Sequence, residues 1–298
     1  MPELPDIEVY RRGVAERVVG VCLEKVRVAS PFVVRSVEPP IGAVEGKRVR
    51  EVRRLGKRLV LGLEDDLFVV IHLMIAGRLG WKARGARQPG KIGLACFDFP
   101  TGTLLLTEAS TKKRASLHVV RGEAELARHD PGGVDPLCVS IEAFTELLRR
   151  GNHTLKRTLT DPRLIAGIGN AYSDEILRAA RLSPVQLTGR LREEEIARLH
   201  GAMQRTLRLW MERLLAEFAD KFPGPGDITA FRPDFAVHGR YGKPCPECGT
   251  TVQRIRYAEN ETNYCPRCQT GGKVLADRSL SRLLKQDWPR TVEELESL

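Results

Sequence analysis

Four of the seven cysteines form two Cys-x-x-Cys pairs separated by sixteen residues; they are Cys245, Cys248, Cys265 and Cys268. A Cys-x-x-Cys turn directs two sulfur atoms at one ion, and zinc prefers four thiolate or imidazole ligands in a tetrahedron. Four unligated thiols or a redox pair are the alternatives, but two correctly spaced pairs favour zinc. Because four thiolates leave no open coordination position, we expect one structural zinc ion.

The amino terminus, Met-Pro-Glu, holds a second reactive group. The small side chain of Pro2 generally permits removal of Met1, which leaves a proline secondary amine. An α-amino group has a pKa of about 8, against about 10.4 for lysine, so a useful fraction is unprotonated at neutral pH. Attack on a sugar C1′ gives an iminium ion that drives β-elimination, and Glu3 is placed to exchange protons with the sugar. The alternative is that Glu3, Asp6 and Glu8 are solvated acids at the positive end of a helix.

A third motif is the stretch Gly-Ile-Gly-Asn, which contains Gly167, Gly169 and Asn170. Glycine lets the backbone approach a phosphate, and the N–H groups at the start of a following helix bind anions. A simple turn fits these residues equally well, so the motif alone establishes no binding site.

The composition restricts the class of protein. The chain has 298 residues, 42% of them hydrophobic and 29% charged, which argues against global disorder. It contains no apolar run of about 18–20 residues and no apolar signal core, so we expect a cytoplasmic protein. Lys and Arg outnumber Asp and Glu by 48 to 38, a net charge of +10, which favours nucleic acid as the partner. The odd number of cysteines argues against a disulfide framework.

The hydrophobic pattern divides the chain into two halves. Spacings of three and four predict a helix over 5–18, with Pro5 in its first turn. Short β-like runs follow from about 20 to 130, and strands without long helices between them predict an antiparallel sandwich or barrel. The predicted runs are KVRVAS, KRLVLGL, LFVVIHLMI, LACFDF, GTLLLTE and SLHVV.

Beyond the Gly- and Pro-rich stretch 129–136, which is the best candidate linker, the pattern becomes helical. We expect helices that begin at Ser140, near Thr154 and near Asn170. An apolar stripe predicts a long amphipathic helix from about Ile196 to Phe218. A last short helix is expected around 279–285.

Five blocks in this order resemble the formamidopyrimidine-DNA glycosylase / endonuclease VIII family of base-excision repair enzymes. They are PELPDIE, LGKRLVL, HLMIAGRL, LIAGIGNAYSDEIL and VHGRYGKPCPECGT. The resemblance covers about residues 2–270 and suggests a divergent member. It implies a multidomain α+β fold with a β-sandwich led by a helix, a helix–two-turn–helix domain and a β-hairpin zinc finger. The expected domains are 1–130, 131–235 and 236–273, followed by a C-terminal extension over 274–298.

The resemblance also implies roles for individual residues. Pro2 is expected to be the Schiff-base nucleophile and Glu3 the acid/base that assists sugar opening. Lys57 is expected to approach the phosphate at the lesion and to act in elimination. Without the other motifs, Lys57 would be interpreted as an exposed lysine in a turn.

By the same resemblance, Lys156, Gly169 and Asn170 are expected to contact the DNA backbone, which positions DNA without reading its sequence. Lys112 and Lys113 lie in a basic loop, STKKRAS, which is also expected to contact DNA.

This chain departs from the family pattern where the family fills the gap left by an extruded base. Lys113 stands where the family carries an intercalating Phe, and Ile75 stands where it carries a Met, although Met74 is adjacent. Ile92 begins the stretch in which the family has a histidine pair. An unfilled gap costs a few kcal/mol, so this protein must fill it differently, extrude the base less readily or use distorted DNA.

A second departure lies in the zinc finger. The family carries an Arg five residues before the third cysteine, and here that residue is Asn260. Loss of this phosphate contact puts efficient δ-elimination in doubt.

The leading hypothesis is a bifunctional DNA glycosylase and abasic-site lyase that binds one structural zinc and acts as a monomer on damaged double-stranded DNA. If the protein is bacterial, as the resemblance suggests, it should associate with the nucleoid. The alternatives are a specialised abasic-site lyase or unusual-lesion glycosylase with little 8-oxoguanine activity, a non-catalytic damaged-DNA binding protein, and an RNA-binding zinc ribbon. Pro2, Glu3 and Lys57 together count against the last two.

Overall fold

The computed structural model describes residues 1–257, 260–277 and 288–297. The chain divides into two compact units. Unit 1 comprises Met1–Gly133 and Leu209–Ala230, and unit 2 comprises Val134–Arg208 and Phe231–Leu298. The first boundary falls within the stretch 129–136.

Unit 1 begins with a helix and continues as a series of strands. The elements are α1 (Leu4–Val18), β1 (Cys22–Leu23), β2 (Lys25–Val28), β3 (Lys47–Leu55), β4 (Arg58–Leu63), β5 (Leu67–His72), β6 (Gly77–Lys82), β7 (Gly93–Phe99), β8 (Gly102–Glu108), β9 (Ser116–Arg121) and α2 (Glu123–Ala127). Two 3-10 helices, Pro31–Val33 and Ile41–Val44, lie between β2 and β3.

The strands form two antiparallel sheets. One has the order β1-β3-β4-β5-β9 and the other the order β2-β7-β8-β6. A single buried core includes Leu61 and Ile71 of the first sheet, Phe97 and Leu106 of the second, and Ile7 of α1. The predicted antiparallel sandwich with a leading helix is therefore confirmed.

The near-continuous apolar character of β4 and β5 has a simple cause, since both faces of these strands are covered. Alternate residues point into the shared core, while Val60 and Val70 point to the opposite face. There they pack with Phe68 and with Leu126 of α2. A strand that is buried on both faces gives an apolar run rather than an alternating pattern.

The six predicted runs all contain strands, but β1, β3 and β6 were not predicted. β3 carries charged residues at most positions and buries only Val49 and Val52. β6 contains two glycines and exposes Lys82 at its end. Neither segment has the apolar content on which the prediction depended.

Unit 2 is helical, followed by a hairpin. Its elements are α3 (Ile141–Arg149), α4 (Leu155–Thr160), α5 (Asn170–Ala179), α6 (Glu193–Glu217), β10 (Gln253–Tyr257), β11 (Asn260–Tyr264), α7 (Pro266–Thr270) and α8 (Val292–Glu296). Of α6, the residues up to Arg208 belong to unit 2 and the rest to unit 1. The hydroxyls of Ser140 and Thr154 accept hydrogen bonds from backbone N–H groups in the first turns of α3 and α4, which explains where these helices begin.

The predicted apolar stripe of α6 is buried from Ile196 to Leu214, and Phe218 directly after the helix is also buried. The helix expected around 279–285 lies outside the described residues. No helix in the described parts of the chain is both long enough and apolar enough to cross a membrane.

Candidate functional site

The chain's first residues are held by the start of α1. Asp6, in the first turn, accepts a hydrogen bond from the backbone N–H of Glu3 at 2.9 Å. Both acids are buried, with exposed fractions of 3% for Glu3 and 2% for Asp6. The interpretation as solvated acids is therefore wrong for these two residues. Glu8 fits that interpretation better, since it is only partly buried and forms an ion pair with Arg11 at 2.6 Å.

The electrostatic surroundings favour a neutral amine at this end of the chain. Burial lowers the pKa of the terminal amine of Met1, with Arg78 and Lys57 lowering it further, while Glu3 and Asp6 oppose the shift. A lower pKa leaves more of the amine unprotonated and nucleophilic. The nitrogen of Pro2 is one residue away, and Pro2 is itself buried.

Lys57 is positioned by a two-residue hairpin turn. Leu55 of β3 pairs with Arg58 of β4, which leaves Gly56 and Lys57 as the loop. Gly56 has a φ of +58°, which suits the first central position of a tight hairpin turn. The charge of Lys57 acts on the terminal amine, so the structure brings Pro2, Glu3 and Lys57 into one neighbourhood.

The turn over 73–77 presents Ile75, whose side chain is 51% exposed. The carbonyl of Leu73 accepts a hydrogen bond from the N–H of Gly77 at 2.9 Å, and a Cβ on Gly77 would lie 2.3 Å from that oxygen. The Arg78 guanidinium donates to the carbonyls of Ile75 and Gly77 at 3.2 and 2.7 Å. Arg78 was not predicted as a site residue, although it fixes this turn and its charge acts on the terminal amine.

The basic loop over 109–115 is held by a buried carboxylate. Glu108 accepts hydrogen bonds from the N–H groups of Arg114 and Ala115 at 2.8 and 3.0 Å. The ammonium of Lys113 turns back and donates to the carbonyl of Glu108. Lys112 and Arg114 are exposed. Sequence reasoning missed Glu108, whose only signal was an acid at the end of a strand.

A group of histidines lies beside Lys57 in unit 1. Burial, then the charges of Arg58 and Lys57, lowers the pKa of His72 to about 4. Burial, then His129 and Arg58, lowers the pKa of His118 to about 4. These imidazoles are therefore neutral at physiological pH, where Lys57 and Arg58 carry the positive charge. No motif in the sequence around these histidines predicts a role for them.

In unit 2, Lys156 and Asn170 meet around a buried acid. The ammonium of Lys156 donates to the Asp174 carboxylate at 2.5 Å and to the Asn170 carbonyl at 2.7 Å. Asp174 also accepts from Nδ1 of His238 at 2.7 Å and from the N–H of Asn263 at 3.1 Å. We call these five residues the Asp174 cluster. It brings together the two predicted contacts, and Gly169 precedes Asn170 as the N-cap of α5.

The neighbouring acid, Glu175, ties α5 to the segment before the finger. Its carboxylate accepts hydrogen bonds from the N–H groups of Ala236, Val237 and His238 at 2.8–2.9 Å. Burial raises its pKa, although these three donors oppose the shift. Sequence reasoning missed both acids of the Ser-Asp-Glu stretch, because nothing in the local sequence distinguishes them from exposed acids on a helix.

The four predicted zinc ligands cluster. Their sulfur atoms all lie within 4.8 Å of one another, and three of the separations are 3.4, 3.5 and 3.9 Å. Four sulfurs at 2.3 Å from a zinc ion in a tetrahedron are about 3.8 Å apart. The donor set therefore fits one structural zinc ion. Gly249, with a φ of +74°, follows the first pair, and the side-chain oxygen of Gln269 accepts from the N–H of Cys265 at 2.8 Å.

The hairpin of the finger, β10–β11, contains Asn260 as the first residue of its second strand. The adjacent acid, Glu261, accepts from Arg254 at 3.3 Å and from Arg256 at 3.2 Å. Its backbone carbonyl accepts from the Asn170 amide at 2.7 Å. The cations of this hairpin are thus partly neutralised by Glu261.

Three family models match the chain in succession. The formamidopyrimidine-DNA glycosylase N-terminal domain matches residues 1–130, and the formamidopyrimidine-DNA glycosylase H2TH domain matches residues 133–214. A zinc finger found in FPG and IleRS matches residues 242–271.

Several curated proteins are similar over most of the chain. The formamidopyrimidine-DNA glycosylase of Heliobacterium modesticaldum is 33% identical over 276 residues, which cover 90% of this chain and 100% of that protein. The enzyme of the same name from Variovorax paradoxus is 34% identical over 275 residues, with the same coverage. An uncharacterized formamidopyrimidine-DNA glycosylase-like protein of Mycobacterium tuberculosis is 44% identical over 153 residues, 51% of this chain and 94% of that protein.

Solved structures of the Lactococcus lactis formamidopyrimidine-DNA glycosylase are also similar. One, bound non-covalently to DNA with an abasic site, has a TM-score of 0.78 at 25% identity and covers 90% of this chain and 99% of that one. Another, bound to THF-DNA and an inhibitor, has a TM-score of 0.80 at 26% identity and covers 90% and 100% of the two chains. These likenesses confirm the expected sandwich, helical H2TH domain and hairpin finger.

Proposed function

The chain belongs to the formamidopyrimidine-DNA glycosylase family, and from that membership we propose that Pro2, once Met1 is removed, is its nucleophile. The protein is a DNA glycosylase and abasic-site lyase of base-excision repair, with DNA as its partner and one structural zinc ion in its finger. Glu3 is the proposed acid/base for the sugar, and Lys57 the proposed contact to the phosphate at the lesion.

The proposed reaction has two stages. The Pro2 nitrogen forms a bond to C1′ while the damaged base leaves with the electron pair of its bond and takes up the proton that the nitrogen loses. Glu3 then protonates the ring oxygen as the C1′–O bond breaks, and the nitrogen lone pair forms the iminium double bond to C1′. The resulting iminium ion then accepts electrons as the C2′ proton is lost, and the C3′–O bond breaks to release the 3′ phosphate. Hydrolysis returns the free amine.

The observation that carries this proposal is that Pro2 and Glu3 are both buried at the start of α1, where the charges of Lys57 and Arg78 act on the adjacent terminal amine of Met1. Once Met1 is removed, the secondary amine of Pro2 lies beside a buried carboxyl that is suited to proton transfer.

The DNA is proposed to be double-stranded and the protein a monomer located at the nucleoid. Its proposed backbone contacts are Lys156, Gly169, Asn170, Lys112 and Lys113. Affinity should fall steeply with salt, since cations that bind phosphates release counterions. The expected division into 1–130, 131–235, 236–273 and 274–298 is retained as part of the proposal. With Asn260 in place of the family Arg, we propose that the reaction ends mainly at β-elimination.

Borohydride reduction in the presence of abasic-site DNA tests the mechanism. Intact mass should show a chain without Met1 that becomes covalently joined to DNA. Pro2→Gly and Glu3→Gln should each lower the trapped yield by at least tenfold. Glu16→Gln, an exposed glutamate of the same helix, is the matched control and should trap like the parent. A processed parent that never forms the adduct would refute the lyase mechanism.

A narrower function, as a specialised abasic-site lyase or unusual-lesion glycosylase, is favoured by the basic loop. Its lysine at the family's Phe position turns back to the carbonyl of Glu108 instead of offering an apolar surface. A panel of damaged duplexes distinguishes the two, since 8-oxoguanine excision at the rate of abasic-site cleavage would contradict the narrower function.

A further inference from the structure

One end of the four-stranded sheet gathers four connections of unit 1. The strands are antiparallel in the order β2-β7-β8-β6. The end of β2, the start of β7, the end of β8 and the start of β6 therefore lie side by side. We call this the loop end of the sheet; it comprises residues 30–33, residue 92, the loop 109–115 and the turn 73–77.

Backbone hydrogen bonds join these connections. The N–H of Ala29 donates to the carbonyl of Leu94 at 3.0 Å, and the N–H of Glu108 donates to the carbonyl of Ile92 at 2.8 Å. Gly77 pairs with Glu108 across β6 and β8. Since neighbouring strands are about 4.8 Å apart, the loop end spans about 14 Å, roughly four base steps of 3.4 Å.

Three of the four connections present a large apolar side chain to solvent. Phe32 is 77% exposed on the 3-10 helix after β2, Ile92 is 41% exposed before β7, and Ile75 is 51% exposed before β6. Exposed aromatic rings are uncommon on a soluble surface, and an apolar row of this kind indicates a binding surface.

The fourth connection supplies positive charge. Lys112 and Arg114 are exposed on the loop after β8. The loop lies between the connections that carry Ile92 and Ile75, because β8 lies between β7 and β6. A row of apolar side chains interrupted by cations complements bases flanked by phosphates. A second copy of this surface would instead bring like charges together.

We propose that Phe32, with Ile92 and Ile75, stacks against the bases around the gap that an extruded nucleotide leaves, while Lys112 and Arg114 bind the phosphates of the same strand. This inference rests on the proposed function. Phe32 thereby supplies the aromatic surface that the loop itself lacks. Because these side chains have no hydrogen-bonding groups and every base has a π-face, the contact does not select the base opposite the lesion.

A duplex with 2-aminopurine opposite a tetrahydrofuran abasic analogue tests the proposal, since this site binds protein but cannot react. The parent should change the fluorescence of 2-aminopurine on binding. Phe32→Ala should lose most of that change and bind roughly 5- to 150-fold more weakly, the range for one base–aromatic stack. Phe32→Trp should restore affinity, with quenching of the new indole by DNA.

Val37→Ala is the matched control. Val37 is 88% exposed on the same segment. By that point, however, the segment has left the loop end and runs along β9, where the hydroxyl of Ser36 accepts from the N–H of Val119 at 2.7 Å. The control should bind and report like the parent.

Parent-like affinity and fluorescence for Phe32→Ala would overturn the stacking role. A preference of tenfold or more among the four bases opposite the analogue would overturn the lack of selection. Borohydride trapping of the parent on a true abasic site is a separate readout. Failure of trapping would refute the proposed mechanism, whereas the stacking role would still be decided by the affinity and fluorescence of Phe32→Ala.

Discussion

Asp174→Asn should destabilise unit 2 strongly, because it removes a buried charge that three donors share. The Asp174 side chain is fully buried and accepts from Lys156, His238 and Asn263 at 2.5–3.1 Å. Breaking a buried pair leaves the partner charge uncompensated at a cost of 3–5 kcal/mol. Lys156 keeps its bond to the Asn170 carbonyl and is 15% exposed, so we expect a loss of about 3 kcal/mol in the free energy of unfolding.

Urea unfolding followed by far-UV circular dichroism measures this loss. Glu146→Gln is the control in the same unit. Both side chains of its ion pair with Arg150 are exposed, so the pair should contribute less than about 0.5 kcal/mol to the free energy of unfolding. Adding Lys156→Met to Asp174→Asn should recover at least about 1 kcal/mol by removing the orphaned ammonium. A loss no larger than that of the control, or no recovery in the double variant, would refute the assignment of Asp174 as the centre of this network.

Two further predictions concern the zinc finger and the histidines of unit 1. Cys248→Ser should lower bound zinc, measured by atomic absorption, from one ion per chain to less than about 0.2. Cys138→Ser, at an exposed isolated cysteine, should keep the full zinc content. Retention of zinc in both variants would contradict the four-sulfur site. Because the folded pKa values of His72 and His118 are about 4, the unfolded chain binds more protons between pH 6.5 and pH 4. The full shift corresponds to about 3 kcal/mol per histidine. Both rings are only partly buried, so we expect the free energy of unfolding to fall by about 1–2 kcal/mol per histidine as the pH is lowered through this window. A parent curve as flat as that of the His72→Gln/His118→Gln double variant would refute the shifts.

The parts of the site that sequence alone predicted are those whose chemistry is local. Two Cys-x-x-Cys pairs specify a zinc site through spacing, and an N-terminal Pro-Glu places an amine beside an acid on adjacent residues. The hairpin of Lys57 is equally local, since it needs only Gly56 between two strands. The buried faces of α1 and α6 follow from helical periodicity for the same reason.

What sequence could not predict depends on residues distant in the chain. Asp174 joins Lys156, 18 positions before it, to Asn263, 89 positions after it. An acid on a helix is ordinarily expected to face solvent, and no local pattern distinguishes Asp174 from an exposed one. Arg78 is a similar case, because its contact with the carbonyl of Ile228 at 2.8 Å joins residues 150 positions apart.

The cations proposed to contact DNA differ in whether a carboxylate already pairs with them, and net charge does not record this difference. In unit 2, Lys156 is paired with Asp174, and two arginines of the finger hairpin share Glu261. Phosphate must compete with an internal carboxylate for each of these cations. In unit 1, Lys112 and Arg114 are exposed on a loop whose acid, Glu108, is already engaged with backbone N–H groups. An exposed cation can bind phosphate and release counterions without first breaking an ion pair. Each cation of the loop should therefore contribute more to the salt-dependent affinity for DNA than each paired cation of unit 2.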